Sequence, residues 1–217
     1  MRKLLFLLAF ILSCNFIFAQ APTNGLVAYY PFNGNANDAS GNSNHGTTQN
    51  GVTFGTDRFG NAGKAANFDG VDDFIETNIS QTAITNYSVS FWIKSTDNEF
   101  TIIQNRGPVH QGGKSITIRY SEGKWWYALD GDFILVGKTF NSTIPNEWQF
   151  MSFVWSSNST ADVSPSQFKI FKNGVLQTME DISIGSSTIP FNPSGYLKIG
   201  RHDAWNFNYG GLLDDIR

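Results

Sequence analysis

FKIFKNGVLQ, residues 168–177, is the stretch whose reading decides the fold. Two short alternating runs flank Asn173-Gly174, the residue pair that best tolerates the two positive φ angles of a type I′ turn. Such a pattern predicts a tight β-hairpin. Working outward, the same period of two recurs in YSVSFWIK, residues 87–94, where Val89, Phe91 and Ile93 share one face. Ser88, Ser90 and Trp92 take the other face, as alternation along a strand requires.

The region between these runs reads as a meander. Ile116, Ile118 and Tyr120 fall on one side of residues 115–120, and Trp125, Tyr127 and Leu129 on one side of residues 125–129. Trp125 and Trp126 therefore point oppositely, so at most one of them can face a ligand. Glu122-Gly123 and Asp130-Gly131 supply the turn positions between the runs. Residues 148–155 are apolar on both faces, which predicts a central strand buried on each side. Leu197 and Ile199 mark a further strand, and Leu212, Leu213 and Ile216 the last. Helical periodicity is absent. Many short strands separated by Gly, Asn and Asp turns predict an all-β, two-sheet antiparallel sandwich.

The N-terminus reads as a leader and is set apart from the fold. Arg2 and Lys3 precede an apolar run from Leu4 to Leu12, and small residues follow at Ala19 and Ala21. Residues 1–21 are expected to be a signal peptide, with cleavage after Ala19 preferred because cleavage after Ala21 leaves Pro22 first. A rival reading makes Cys14 a lipoprotein cysteine, although the apolar run continues past it. Counting all 217 residues, 15 Lys and Arg face 18 Asp and Glu. Removing the leader's two cations leaves 13 − 18, a charge of −5. Cys14 is the sole cysteine, so the mature chain has no internal disulfide and no thiolate chemistry. The mild acidity excludes a basic nucleic-acid footprint, and no second apolar stretch suggests a membrane span. One domain over residues 22–217 is expected, long enough for a self-sufficient core.

Two segments near the chain ends are rich in oxygen ligands. PFNGNANDASGNSNHG spans residues 31–46 and GGLLDDIR residues 210–217. Calcium takes six to eight oxygens, so an ion clamping first and last strands is one reading. Asx-turns made by the same Asn, Asp and Ser residues are the other. An EF-hand is excluded, because Asp38 and Asn44 stand where Gly and Glu are needed. FDGVDDF, residues 68–74, is a second acidic cluster. Asp72 and Asp73 there could bind an ion, and a solvated hairpin tip is the plainer reading.

Taken together, the chain resembles a laminin-G-like, concanavalin A-like jelly-roll domain of the secreted bacterial type. The resemblance rests on GLVAYYPFNGNANDASGNSNHG, FGNAGKAANFDGVDDFIE, SVSFWIK, EWQFMSFVW, FKIFKNGVL, YLKIGR and GLLDDIR in the family's order. The family commonly continues its last strand beyond this point, so the sequence is expected to be part of a longer protein with its last strand truncated. The leader also resembles those of Bacteroidetes-type exported proteins. The resemblance implies a structural calcium held by Asp38 and Asp214, with Ser40 or Asn42 as helpers.

Sugar recognition needs aromatic faces flanked by hydrogen-bonding groups. RHDAWNFNYGG, residues 201–211, offers Arg201, His202, Trp205, Asn206 and Tyr209, and QNRGPVHQGGK, residues 104–114, adds Arg106 and His110. The competing reading makes Trp205 and Phe207 covers for the end of the core. Catalysis is not expected. No E-x-D-x-x-E run exists to supply the paired carboxylates of a β-glucanase, and no Arg-rich and Gln-x-His strands suggest a lyase. His45, His110 and His202 are far apart, which gives no readable zinc site. The expected function is a secreted or cell-surface, non-catalytic module binding an extracellular glycan. The alternative is a protein-binding adhesion or spacer module of a larger cell-surface protein, and a glycosidase or polysaccharide lyase is the least favoured reading.

Overall fold

The computed structural model describes residues 23–80, 86–105, 115–131, 134–157, 163–184, 195–203 and 206–217. The leader, Cys14, Arg106, His110 and Trp205 lie outside the described residues. Five strands come first: β1 (Gly46–Gln49), β2 (Thr53–Gly55), β3 (Ala65–Asp69), β4 (Phe74–Ser80) and β5 (Asn86–Lys94). Next are β6 (Phe100–Gln104), β7 (Ser115–Ser121), β8 (Lys124–Gly131), β9 (Ile134–Asn141) and β10 (Gln149–Ser156). A 3-10 turn at Pro165–Gln167 leads to β11 (Phe168–Lys172) and β12 (Val175–Leu176). The last three are β13 (Glu180–Ile184), β14 (Tyr196–Ile199) and β15 (Gly210–Asp214). No helix among the described residues is long and apolar enough to cross a membrane.

These strands form two antiparallel sheets, a jelly-roll sandwich of the expected class. The eight-stranded sheet runs β1-β4-β14-β6-β7-β8-β9-β13, and the seven-stranded sheet runs β12-β11-β10-β5-β15-β3-β2. Alternation sends one face of each strand inward. Val89, Phe91 and Ile93 of β5 are buried, as are Met151, Phe153 and Trp155 of β10. From the other sheet come Ile116, Ile118, Tyr120, Trp125, Tyr127 and Leu129. Trp125 stands 5.5 Å from Phe153 and 5.7 Å from Phe100, measured between ring centroids. Edge-on and tilted aromatic pairs of this kind each add about 0.5–1.5 kcal/mol beyond their buried area.

Turn chemistry sets the register. Asn173 and Gly174 have φ of 50° and 79°, and Glu122 and Gly123 have 54° and 74°. Both are two-residue hairpin turns with positive φ at each central position. Asp130-Gly131 behaves differently from expectation: both residues remain in β8, paired with Leu135 and Ile134. The outer face of β10 is also less sealed than its apolar pattern predicts. Phe150 and Val154 are only half-buried, because nothing among the described residues covers them as the core covers Phe153.

The two ends of the domain meet. Tyr30 donates its N–H to the Ile216 carbonyl at 2.8 Å, and Ile216 returns one to Tyr30 at 3.1 Å. Arg217 and Ser90 exchange a second reciprocal pair at 2.9 Å each. The segment following β15 therefore lies between the N-terminal chain and β5.

Candidate functional site

The β7–β8 hairpin builds one wall of a cleft on the outer face of the eight-stranded sheet. Its two-residue turn sets Arg119 opposite Trp126, both pointing away from the core. The Arg119 Cζ lies 4.8 Å from the Trp126 ring centroid and 5.9 Å from that of Phe207. Phe207 arrives from the segment after β14, where its carbonyl accepts the Thr101 N–H at 3.0 Å. Glu99, Ser121, Glu122 and Asn206 complete the lining of a cavity of about 530 Å³. Trp126 is fixed by its indole N–H, which donates to the Ser121 carbonyl at 3.3 Å, and the Ser121 hydroxyl donates to Glu99 Oε1 at 3.2 Å. A half-buried indole, a half-buried phenyl ring and a guanidinium, with two carboxylates in the lining, give an apolar platform with polar edges.

Support for the loop lies behind this cleft. His202 is 3% exposed, and its Nε2 is 2.9 Å from Gln104 Nε2. The Gln104 carbonyl oxygen accepts the Asp203 N–H at 2.9 Å, and Asp203 in turn pairs with Lys198 at 2.7 Å. His202, expected at a ligand surface, is thus a buried brace. Tyr209 is corrected in the same way. Its ring is fully buried 5.1 Å from Phe100, and its hydroxyl donates toward the Leu212 and Lys94 carbonyls at 2.9 and 3.1 Å. A ring needed to fill the core beside β15 cannot also face a ligand. Asn206 is exposed on the cleft, and Arg201 packs 4.9 Å over the Phe74 ring.

A larger opening of about 860 Å³ lies where residues 24–28 cross the ends of β5 and β10. Of its three rings, Tyr30 and Trp155 are core residues and Tyr87 is half-buried, and Arg217 is its one charged group among the described residues. Its polar lining is Asn24, Asn86 and five serines, without the paired outward-facing rings and guanidinium of the Arg119 cleft.

The expected ion clamp between Asp38 and Asp214 is not assembled. Asp38 Oδ1 accepts the N–H groups of Tyr29 and Ser40, both at 2.8 Å. Its Oδ2 accepts the Ser40 hydroxyl at 2.8 Å and the Asn44 N–H at 2.9 Å. Burial would raise this carboxyl, but the donors of Tyr29, Ser40 and Asn44 outweigh it and hold Asp38 below its ordinary value. Four donors occupy the lone pairs a metal would need, and Asn42 spends its amide on the Leu26 carbonyl at 2.7 Å. His45 also works locally, its Nδ1 accepting the Asp38 N–H at 3.1 Å.

Asp214 has a different partner, the guanidinium of Arg58. Arg58 binds Asp214 through Nη1 and Asp215 through Nη2, the latter at 2.6 Å. It is held flat between Phe59 and Trp92, 4.4 and 4.9 Å from their centroids. Asp215 also accepts the Tyr29 hydroxyl, while Asp38 grips the Tyr29 backbone. The length of one tyrosine side chain therefore separates the two acid groups. Burial, with repulsion from Asp215 next, pushes Asp214 up to about 6 despite Arg58. Burial and the bond to Asp215 raise Tyr29 to about 12.

The FDGVDDF segment forms a tight turn between β3 and β4. Asp69 and Asp72 are exposed and Asp73 is buried, with one ligand atom from each lying within 4.8 Å of the others. Burial, together with Asp69 and Asp72, raises Asp73 against the lowering effect of the Asp69 N–H.

A family model described as "Concanavalin A-like lectin/glucanases superfamily", Laminin_G_3, matches residues 68–217. No curated protein matches the chain. Among solved structures, domain 4 of AbnA, a GH43 extracellular arabinanase from Geobacillus stearothermophilus in complex with arabinotriose, is 20% identical with a TM-score of 0.56. That match covers 88% of this chain and 89% of that one. The binding domain of botulinum neurotoxin serotype D is 19% identical, with a TM-score of 0.60, over 88% of this chain and 47% of that chain. The binding domain of botulinum neurotoxin DC in complex with rat synaptotagmin II is 15% identical, with a TM-score of 0.62, over 90% and 48%. This chain thus spans about half of the toxin binding domains, and at these identities the likeness concerns the fold.

Proposed function

The chain belongs to the concanavalin A-like lectin/glucanases superfamily, and we propose that it is a secreted, non-catalytic module that binds carbohydrate in the Arg119–Trp126–Phe207 cleft. The observation that carries this reading is the pairing of two half-buried aromatic rings with one guanidinium, rimmed by Glu99, Glu122 and Asn206. A pyranose or furanose offers an apolar C–H face to such rings and hydroxyl edges to the rim. Arabinotriose in the arabinanase domain makes short neutral oligosaccharides the first ligands to try. The leader pattern at residues 1–21 supports secretion or display at the cell surface. A structural calcium remains part of the reading, at a seat other than Asp38 and Asp214.

A glycan array of plant and microbial oligosaccharides tests the proposal. Wild type should retain a defined subset, and Arg119→Ala and Phe207→Ala should each lose it. Binding that is unchanged in both variants would remove the cleft from consideration.

A protein ligand, as for an adhesion or spacer module, is the second reading. Its support is the exposed apolar pair Val175 and Leu176 on edge strand β12, 64% and 51% exposed. Leu176→Lys should abolish such binding and leave glycan retention intact. Hydrolysis is the third and weakest reading. The chain lacks the E-x-D-x-x-E run that supplies the paired carboxylates of a β-glucanase.

A further inference from the structure

The turn from Asp69 to Asp73 has the makings of a site that neither the fold nor the cleft uses. Asp69 Oδ1 accepts the Val71 and Asp72 N–H groups at 2.8 and 3.4 Å, and Asp73 Oδ2 accepts the Asp69 N–H at 3.0 Å. The turn is braced from two sides. Asn50 Nδ2 donates to the Asp72 carbonyl at 3.0 Å, and Asn208 Nδ2 donates to the Val71 carbonyl. Three carboxylates are thereby brought together, and among the described residues no Lys, Arg or His pairs with any of them.

Crowded surface acids alone mean little, so the second observation decides the matter. Asp73 is only 3% exposed, yet its Oδ1 reaches neither solvent nor any hydrogen-bond donor. Leaving a buried carboxylate oxygen without a partner is costly. Space beside that oxygen is kept by Gly51, where an added Cβ would stand 3.3 Å away. A calcium ion bound at about 2.4 Å to each oxygen can bridge ligands up to about 4.8 Å apart. One oxygen from each of the three carboxylates meets that limit.

We propose that Asp69, Asp72 and Asp73 bind one hard divalent cation, calcium in preference to magnesium or zinc. An all-oxygen set of three carboxylates with no His or Cys disfavours zinc. Clustered charge on a turn suits the larger and more adaptable coordination shell of calcium over magnesium. The cation would give Asp73 Oδ1 its partner, neutralise the mutual repulsion, and pin β3 to β4.

The test is calorimetric titration of chelator-treated protein with calcium and with magnesium, followed by thermal unfolding in each. One calcium should bind per chain, and a hundredfold excess over Kd should raise Tm by about 5–10 °C. Asp72→Asn, at an exposed position, should weaken binding at least tenfold, and the near-isosteric Asp73→Asn should abolish it. In chelator, Asp73→Asn should melt no lower than wild type, because it removes a buried charge that faces two other acids and has one oxygen without a donor. Asp181→Asn, a surface acid elsewhere, should bind as wild type does. No calcium heat up to millimolar concentration, or equal binding by wild type and both turn variants, would overturn the site.

Discussion

Arg58 and Asp214 lie 156 residues apart in sequence and form an ion pair in which the carboxylate side chain is 5% exposed. The same guanidinium reaches Asp215, so the cation that joins the late acids to the early chain is a side chain. Its planar fork matches two carboxylates, and its faces are covered by Phe59 and Trp92. Breaking a pair this dry strands the partner charge. Arg58→Ala should therefore cost about 2–4 kcal/mol in urea unfolding. The double variant Arg58→Ala/Asp214→Asn should recover part of that loss, since coupled residues are not additive. Full additivity would show that the pair is not coupled.

Asp214 also predicts a pH dependence. Its carboxyl is raised to about 6 in the folded chain, against about 3.9 when unfolded. A carboxyl raised on folding favours the native state while protonated. Its contribution is complete below about pH 4 and gone above about pH 6. Melting temperature should fall as pH rises through that interval, and Asp214→Asn should flatten the slope. An unchanged slope would mean that other groups carry it.

Asp38 works as a loop staple, and its removal should show this. Asp38→Ala strips acceptors from the N–H groups of Tyr29, Ser40 and Asn44, at a cost of about 2–4 kcal/mol. The loss should be the same in chelator and in excess calcium. A loss confined to calcium-containing buffer would restore Asp38 as a metal ligand.

Gly137 faces Ala128 across β8 and β9. A Cβ added there would stand 2.1 Å from the Tyr127 carbonyl and 2.6 Å from Ala128 Cα. Both obstacles are backbone, so Gly137→Ala should destabilise by at least about 2 kcal/mol. A wild-type melting curve for this variant would contradict the pairing of these strands.

Local chemistry was readable from sequence wherever a two-residue turn dictated the partners. Asn173-Gly174 implies Lys172 opposite Val175, and Glu122-Gly123 implies Arg119 opposite Trp126; both pairings occur. Counting back along that hairpin from its turn would have found half of the cleft, but the ligand residues expected from sequence did not include Arg119 or Trp126. What could not be read is which distant segments arrive beside it. Phe207 reaches the cleft through a backbone bond to Thr101, and Arg58 reaches Asp214 of β15 from the connection between β2 and β3, neither of which leaves a periodic trace. Tyr209 misleads for a related reason. It sits in a polar, glycine-flanked stretch, yet its ring closes the core while its hydroxyl caps two strand carbonyls. Asp38 was ambiguous in sequence because the oxygens that suit calcium also suit Asx-turns, and only the number of N–H donors around it separates the two.

Titration of the best array-selected glycan into three proteins tests the cleft most directly. Trp126→Ala removes the indole beside Arg119, while Phe59→Ala removes an aromatic ring 73% exposed in the turn between β2 and β3, beside the other sheet. Trp126→Ala should weaken binding about 10- to 100-fold, the loss typical of a central aromatic anchor, and Phe59→Ala by less than about twofold. Undiminished affinity in Trp126→Ala, or a loss confined to Phe59→Ala, would contradict a ligand site on the eight-stranded sheet.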